Sequence, residues 1–167
     1  MKKELSIILP VFNEKDSLPI MVRLLNTSIK FPKEIIIVYD DEKDNSVKIA
    51  KELASESSDI RAIHNQLGKG AKYAVETGIN NSKYDNILIT AVDEIFPIIS
   101  VEKMLETLIK NNLDLVSGTR YSKGGMRLGG SFLGAVLSKI ANKSFNILTN
   151  IHLSDCTTGI KMMKKNL

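Results

Sequence analysis

The stretch EIIIVYDDEKDNS, residues 34–46, passes directly from a run of aliphatic residues into a cluster of carboxylates. The β-branched run predicts a buried strand. Asp40, Asp41, Glu42 and Asp44 crowd into five positions after it, and like charges this close repel one another. Two explanations are open: the cluster is a solvated loop, or a polar ligand or cation lies at the end of the strand.

Segments with strand and helix patterns alternate on both sides of this stretch. Short β-branched runs predict five strands, with the sequences LSIILPV, EIIIVY, IRAIH, DNILITAV and DLVSGT. Apolar residues at helical spacing predict the helices SLPIMVRLLNTSI, VKIAKELASES, GKGAKYAVETGINNS and VEKMLETLIKNN, with Ser46 and Ser100 as candidate caps. The alternation predicts an α/β fold with a mainly parallel sheet and helices on both faces.

Composition limits the class of protein. The chain has 167 residues, of which 43% are hydrophobic and 25% are charged, as expected for one globular domain. The single cysteine, Cys156, excludes an internal disulfide. No apolar stretch has the length of a signal-peptide core or a membrane span. We therefore predict a cytoplasmic protein.

The net charge of +4 is divided unevenly along the chain. Residues 1–100 carry 13 Lys and Arg against 15 Asp and Glu, whereas residues 101–167 carry 10 against 4. After Asp114 the only acid is Asp155. This asymmetry suits a polyanionic partner, although charge alone favours a solvated basic surface. We expect no nucleic-acid partner.

Polar residues follow every predicted strand. In an open α/β sheet, ligands bind beyond the carboxyl ends of the strands. The repetition of polar residues at all five ends makes an ordinary set of loops a poor explanation, and it predicts a binding site at this edge. The residues in question are Asn13 and Glu14, then Asp40, then Asn65 with Gly68 and Gly70, then Asp93 and Glu94, then Arg120 and Tyr121.

Five segments resemble, in order, the motifs of the inverting family-two glycosyltransferases, which have the GT-A (Rossmann-like) fold. They are LSIILPVFNE, IVYDDEKDNS, GKGAKYAVETGI, SGTRYSKGG and DCTTGIKMMKK. The last two are similar to the dolichol-phosphate mannosyltransferase and polyprenyl-phosphate sugar transferase branch. The resemblance runs from Leu5 to about Lys165. It implies inverting transfer of a hexose from a UDP- or GDP-sugar to a polyprenyl or dolichyl phosphate, at the inner face of a membrane.

The chain departs from the family pattern at several positions. The first Asp of the second motif falls on Tyr39, and the first Asp of the metal motif falls on Ala91. The aromatic residue of the last motif is Ile160, and its basic residue is Lys161. The family normally continues with a further helix and strand, so we expect residues 1–167 to be a single GT-A domain without the family's C-terminal part.

The resemblance implies a metal at Asp93, the surviving carboxylate of the metal motif. Mg²⁺ or Mn²⁺ accepts one or two carboxylates and completes its octahedron with phosphate oxygens and water. The metal then neutralises charge on the leaving diphosphate, which makes Asp93 a catalytic residue.

The resemblance also implies a site for the donor's nucleoside over the first two strands. Pro10, Val11 and Glu14 line it, Asp40 accepts a hydrogen bond from the base, and Gly70 belongs to the glycine turn before the third helix. A steric role for that turn is the stronger interpretation, since glycines permit tight turns.

The acceptor side is the basic loop GTRYSKGGMRLGG. The resemblance implies that Arg120, Lys123 and Arg127 bind the acceptor phosphate and that Arg120 and Asp155 act at the reacting sugar. Without the resemblance, a solvated basic loop and a capping role for Asp155 are equally good interpretations.

The segment GGSFLGAVLSKIANKSFNILTNI, residues 129–151, predicts a long helix or two short ones with one apolar side. We predict peripheral contact with a membrane, and the alternative is packing on the sheet or on a second copy. Two other functions stay open: transfer to a saccharide or other soluble acceptor, and nucleotide binding without catalysis.

Overall fold

The computed structural model describes residues 2–122, 132–150 and 153–167. Strands and helices alternate through these residues, as the sequence predicts. The strands are β1 Leu5–Val11, β2 Lys33–Tyr39, β3 Ile60–His64, β4 Asn86–Ile89, β5 Leu115–Ser117 and β6 Lys161–Lys164. The helices are α1 Ser17–Ser28, α2 Ser46–Glu56, α3 Ala71–Asn80, α4 Val101–Lys110 and α5 Phe132–Thr149, with a 3-10 turn at Phe96–Ser100 before α4.

The described strands form one sheet in the order β3-β2-β1-β4-β6-β5. Strands β1 to β4 are parallel, and β6 runs antiparallel to both β4 and β5. The carboxyl ends of β1 to β5 therefore meet at one edge, together with the amino end of β6. This confirms the predicted α/β class and brings the polar strand ends together. The sequence prediction missed β6, which contributes four residues to the sheet.

Alternate residues of the strands pack on opposite faces of the sheet. On one face, a large cluster around Ile7, Leu9 and Ile37 packs against α1, α2 and α4. On the other face, Ile8 and Ile36 pack against α3. A Cβ on Gly78 of α3 would lie 2.4 Å from Ile8 Cγ2, so this glycine permits the close approach of helix and strand. Helices on both faces confirm the predicted layering.

Helix α5 contacts the rest of the protein differently from the other helices. Asn142 is buried against residues 155 and 156, whereas Leu133, Leu137 and Leu148 are 72%, 65% and 84% exposed. Its polar side faces the protein, and its apolar side faces outward. The sequence predicted the helix and its apolar side, and the outward orientation is the one that the predicted membrane contact or a second copy requires, rather than packing of that side on the sheet.

Candidate active site at the carboxyl edge of the sheet

Hydrogen bonds to the side chains of Asp44 and Ser46 connect the loop after β1 to the loop after β2. Asp44 Oδ2 accepts a hydrogen bond from the Asn13 backbone N–H at 2.8 Å, and Ser46 Oγ accepts one from the Glu14 backbone N–H at 2.7 Å. Burial raises the pKa of Asp44, but hydrogen bonds from Ser46 and Asn13 outweigh it and hold the pKa below its ordinary value. Ser46 is the first residue of α2, and its hydroxyl bonds the loop after β1. The prediction that its side chain caps the helix is therefore wrong.

Asp40 and Gly70, both predicted donor-site residues, contact each other. Asp40 Oδ2 accepts a hydrogen bond from the Gly70 N–H at 2.6 Å, and its Oδ1 accepts one from Asn65 Nδ2 at 2.6 Å. The Asn65 side chain in turn accepts a hydrogen bond from Thr77 at 2.8 Å. Gly70 has a φ of 109°, a backbone angle that residues other than glycine rarely adopt. Asp40 thus holds the glycine turn that opens α3, and its contact with a base stays a prediction.

Tyr39 occupies the position of the motif's first carboxylate. Its ring is 3% exposed and stacks on His64, with 5.2 Å between ring centroids. Its hydroxyl donates a hydrogen bond to Glu42 at 3.0 Å, and Lys51 pairs with the other Glu42 oxygen at 2.7 Å. The cluster in residues 40–44 is thus tolerated because each carboxylate has its own donors. No local pattern in the sequence signals the pairing of Tyr39 with His64.

The residues at the end of β1 lie beside these loops. Pro10 and Val11 pair in register with Val38 and Tyr39 of β2. Glu14 accepts a hydrogen bond from the Ser17 hydroxyl at 2.5 Å, at the start of α1. The backbone of Pro10, Val11 and Glu14 therefore lies at the same edge of the sheet as Asp40, whereas the Val11 side chain is 6% exposed within the core. That these residues line a nucleoside stays a prediction.

Asp93 lies exposed in the turn after β4. Its neighbour Glu94 points to a different place: Oε1 accepts a hydrogen bond from the Gly159 N–H at 3.3 Å, and Oε2 is buried without a partner among the described residues. Within residues 2–122, 132–150 and 153–167, no three His, Cys, Asp or Glu side chains come together as a metal site. An exposed carboxylate at a strand end fits a divalent ion that takes most of its ligands from a diphosphate and water.

Arg120 and Asp155, predicted for the acceptor side, form a buried ion pair. Arg120 Nε and Nη2 donate to the two Asp155 oxygens at 2.7 and 2.9 Å, and the Asp155 side chain is fully buried. Burial raises the pKa of Asp155, but hydrogen bonds from Arg120 and Thr157 outweigh it and hold the pKa well below its ordinary value. The roles of Arg120 and Asp155 in the reaction stay predictions. Lys123 and Arg127 lie outside the described residues.

Lys161 places a cation at the edge, on the strand next to β5 at one end of the sheet. It begins β6, between Ile89 of β4 and Ser117 of β5, and its Nζ donates to the Thr158 carbonyl. Burial lowers the pKa of its ammonium group, and the negative charge of Asp155 opposes that change.

Three polar side chains of α5 hold the loop that carries Asp155. Asn142 Oδ1 accepts a hydrogen bond from the Cys156 N–H at 2.6 Å. Asn146 bonds both the N–H and the carbonyl of Leu153, at 3.1 and 2.9 Å. Ser138 contacts Thr157 at 2.6 Å. Sequence reasoning missed these residues, although their spacing of four along a helix was a usable signal.

A family model described as "Glycosyl transferase family 2" matches residues 6–167. The chain is 29% identical over 137 residues to a dolichol-phosphate mannosyltransferase of Pyrococcus furiosus, and the match covers 81% of this chain and 38% of that protein. It is 33% identical over 129 residues to a dolichyl-phosphate beta-glucosyltransferase of Dictyostelium discoideum, covering 70% and 39% of the two chains. The chain thus spans less than half the length of these curated relatives.

Among solved structures, the chain resembles glucosyl-3-phosphoglycerate synthase of Mycobacterium tuberculosis in complex with Mn²⁺, UDP-glucose and phosphoglyceric acid. The TM-score is 0.70 at 15% sequence identity, and the match covers 98% of this chain and 57% of that one. At this identity the likeness concerns the fold, which is the GT-A fold.

Proposed function

The chain belongs to glycosyl transferase family 2, and on that premise we propose that it transfers a hexose from a UDP- or GDP-sugar to a polyprenyl or dolichyl phosphate. An oxygen of the acceptor phosphate attacks the anomeric carbon of the sugar. The bond from that carbon to the donor diphosphate breaks, and its electron pair leaves with the diphosphate. A single displacement of this kind inverts the configuration. Two relatives with dolichol- or dolichyl-phosphate in their names support this acceptor class.

The observation that carries the choice of acceptor is the ion pair of Arg120 with Asp155. A saccharide hydroxyl needs a general base with a pKa near the working pH. Asp155 has both oxygens engaged by Arg120 and a pKa held well below the ordinary carboxyl value, so it is a poor base. A phosphate monoester, with a second pKa of about 6, is already ionised near neutral pH and needs no base.

The donor is placed by the loops after β1, β2 and β4. In this proposal Pro10 and Val11 line the nucleoside, and Asp40 keeps the glycine turn in place beside it. Asp93 would hold Mg²⁺ or Mn²⁺ with the diphosphate, where the ion neutralises the charge of the leaving group. The Mn²⁺ and UDP-glucose bound by the mycobacterial synthase of the same fold support this choice.

The proposed membrane contact is made by α5. Its outward side chains are apolar, with Ile140 and Ile147 56% and 71% exposed, and Lys139 and Lys143 flank that face. This is the arrangement of a helix that lies in the membrane interface. Among the described residues, no helix has the length and hydropathy to cross a bilayer.

The test combines a binding screen with a transfer assay. UDP- and GDP-linked hexoses are screened by thermal shift with and without Mn²⁺, and the donor that binds is then incubated with a short prenyl monophosphate. We expect metal-dependent stabilisation and a prenyl-phosphate hexose product. Transfer to a soluble saccharide in preference to prenyl phosphate would favour the second acceptor class, which the phosphoglyceric acid in the mycobacterial complex also suggests. Donor binding with no transfer to either acceptor would contradict the proposed reaction.

A further inference from the structure

His64 ends β3 beside the loop that follows β2, and each of its ring nitrogens faces an oxygen atom of that loop. Nε2 lies 3.3 Å from the Asp40 carbonyl oxygen, and Nδ1 lies 3.7 Å from Glu42 Oε1. The ring is stacked on Tyr39 with an interplanar angle of 6°, and this stack fixes the plane of the imidazole.

The two oxygen atoms that face the imidazole both require an N–H donor. Carbonyl and carboxylate oxygens only accept hydrogen bonds, and a neutral imidazole has one N–H and one acceptor nitrogen. The neutral ring therefore serves one of the two oxygens and directs a lone pair at the other. The imidazolium has an N–H on each nitrogen, so the protonated ring is the form that satisfies the Asp40 carbonyl and Glu42 together.

Three ionisable side chains of β2, the loop after it and α2 form one cluster with His64, and each keeps its charge between about pH 5 and 8, where histidine titrates. Hydrogen bonds from Lys51 and Tyr39 hold the pKa of Glu42 below its ordinary value. The bond to Glu42 raises the pKa of Lys51, whereas burial and the bond to Glu42 raise the pKa of Tyr39. His64 is thus the member of this cluster whose charge changes.

The loop that His64 contacts carries the residue that arranges the donor side of the edge. The Asp40 carbonyl faces His64, and the Asp40 carboxylate accepts hydrogen bonds from the Gly70 N–H and from Asn65 Nδ2, both at 2.6 Å. Asn65 follows His64 in the chain, and its backbone N–H donates to the Tyr39 carbonyl at 2.8 Å. A proton on His64 therefore adds a donor at the main chain of the residue whose side chain holds the glycine turn.

We propose that His64 is a positioning residue of the donor site, and that its protonated ring holds the loop of residues 40–42 in the arrangement that binds the nucleotide sugar. The inference rests on the proposed function, since it concerns the donor of that reaction. Donor affinity is then highest in mildly acidic solution, where imidazole is protonated, and falls as the pH rises through the range in which histidine loses its proton.

The first arm of the experiment is calorimetric titration of the whole chain with UDP-glucose and with GDP-mannose, in Mg²⁺, at about pH 5.5 and about pH 8. The diphosphate of these probes is esterified at both ends, so it lacks the ionisation near pH 6 of a terminal phosphate. We expect the probe that binds to do so roughly fivefold more weakly at the higher pH, a typical strength for coupling between two sites.

Two variants and a matched control locate the source of this pH dependence. His64→Gln removes the titrating group, and His64→Phe also removes it but retains a ring to stack on Tyr39. Both should bind the donor with the weaker affinity at both pH values. His152→Gln changes the only other histidine of the chain and should keep the wild-type dependence. Thermal melting by circular dichroism checks that each variant folds.

The second arm uses nuclear magnetic resonance and needs no donor. In the donor-free chain, the Gly70 amide resonance should shift with pH at the same midpoint as the His64 ring, because Gly70 donates its N–H to Asp40. The shift should disappear in His64→Gln and remain in His152→Gln.

The proposal is overturned by donor affinity that is equal at the two pH values in the wild type, or by a pH dependence that persists in both His64 variants. A Gly70 resonance that does not follow the His64 ring overturns it as well. These results leave the transferase intact as long as a donor binds. Failure of every UDP- and GDP-hexose to bind at either pH would instead contradict the proposed function, and the Gly70 resonance would still decide whether His64 acts on the loop.

Discussion

Asp40 shows how one carboxylate at the end of a strand fixes a neighbouring loop. Its side chain accepts hydrogen bonds from the Gly70 N–H and from Asn65, so the glycine turn and the start of α3 depend on it. The side chain of Asp41, one residue on, is exposed and accepts a local hydrogen bond from the Lys43 N–H at 2.9 Å.

We therefore expect Asp40→Ala to lower the free energy of unfolding by roughly 1–3 kcal/mol, because two donors lose their acceptor. It should also weaken nucleotide binding, since the turn beside the nucleoside site is loosened. Urea denaturation and nucleotide titration measure the two effects. Asp41→Ala is the matched control, and equal losses in both variants would contradict the role given to Asp40.

Asp155 has a pH dependence that follows from its ion pair. Its folded-state pKa lies well below the ordinary carboxyl value. The stabilisation is therefore fully present above that ordinary value of about 3.9 and is lost as the pH falls toward the folded-state pKa. We expect Asp155→Asn to lower the free energy of unfolding by roughly 3 kcal/mol at neutral pH. The difference in the free energy of unfolding between wild type and Asp155→Asn should become smaller as the pH falls below the ordinary carboxyl pKa.

Denaturant titrations at neutral pH and at about pH 3 check this dependence. Asp114→Asn is the control, because Asp114 pairs with Lys164 at the surface, where its side chain is 69% exposed, and such pairs contribute little. A constant difference between wild type and Asp155→Asn across this range would show that the pair with Arg120 is not the source of the stability.

Asp93 and Glu94 are adjacent, but the structure separates their roles. Asp93 is exposed, whereas Glu94 is turned against Gly159. We expect Asp93→Asn to leave the melting temperature unchanged and to abolish the part of donor affinity that depends on Mn²⁺. Glu94→Gln should retain it. Calorimetric donor titrations with and without Mn²⁺ decide the matter, and the reverse result would make Glu94 the metal ligand.

At the scale of the element, α5 carries two functions on opposite sides. Ser138, Asn142 and Asn146 hold the loop of Asp155, and the outer side chains have no comparable contacts with the described protein. Leu137 and Ile140 are 65% and 56% exposed. Such exposure is costly in water unless a partner covers the face.

We expect Leu137→Ser with Ile140→Ser to reduce binding to phosphatidylglycerol vesicles without lowering the thermal stability. Flotation at low and high salt measures the binding. Ile20→Ser, on α1, is a matched control because Ile20 is also 56% exposed and lies on another helix. Vesicle binding that survives the double change would mean that α5 is not the membrane contact.

At the scale of the whole molecule, β6 joins β5 to the four parallel strands β1 to β4. β6 lies between β4 and β5 and pairs with both, and it buries Met162 completely. Without it, β5 loses its partner strand and the edge of the site loses Lys161.

We therefore expect removal of residues 161–167 to abolish the cooperative thermal transition, because the sheet is left with an exposed core and unpaired backbone groups. Circular dichroism during heating measures the transition. Removal of residues 166–167 alone is the control, since both residues are exposed. A cooperative melt without residues 161–167 would show that the first four strands form a stable unit by themselves.

The local elements, and the edge at which the polar residues gather, could be predicted from the amino-acid pattern alone. β1, β2 and α4 are long, strongly patterned segments, and hydrophobic periodicity is a local signal. The position of Asp40 and Asp93 at strand ends followed from the same pattern, because parallel strands align their carboxyl ends.

Which of these residues contact each other depends on how distant segments pack together. Arg120 and Asp155 are 35 positions apart, and nothing local in either segment specifies their pairing. β6 has four residues, too few for a clear periodic signal, and it is a strand because β4 and β5 offer it unpaired backbone groups. The helical pattern of α5 showed an apolar side and left open whether that side faces outward or packs on the sheet, and the asparagines that bond residues 153 and 156 turn it outward. Long-range pairings of this kind depend on contacts between distant segments, so a local pattern does not encode them.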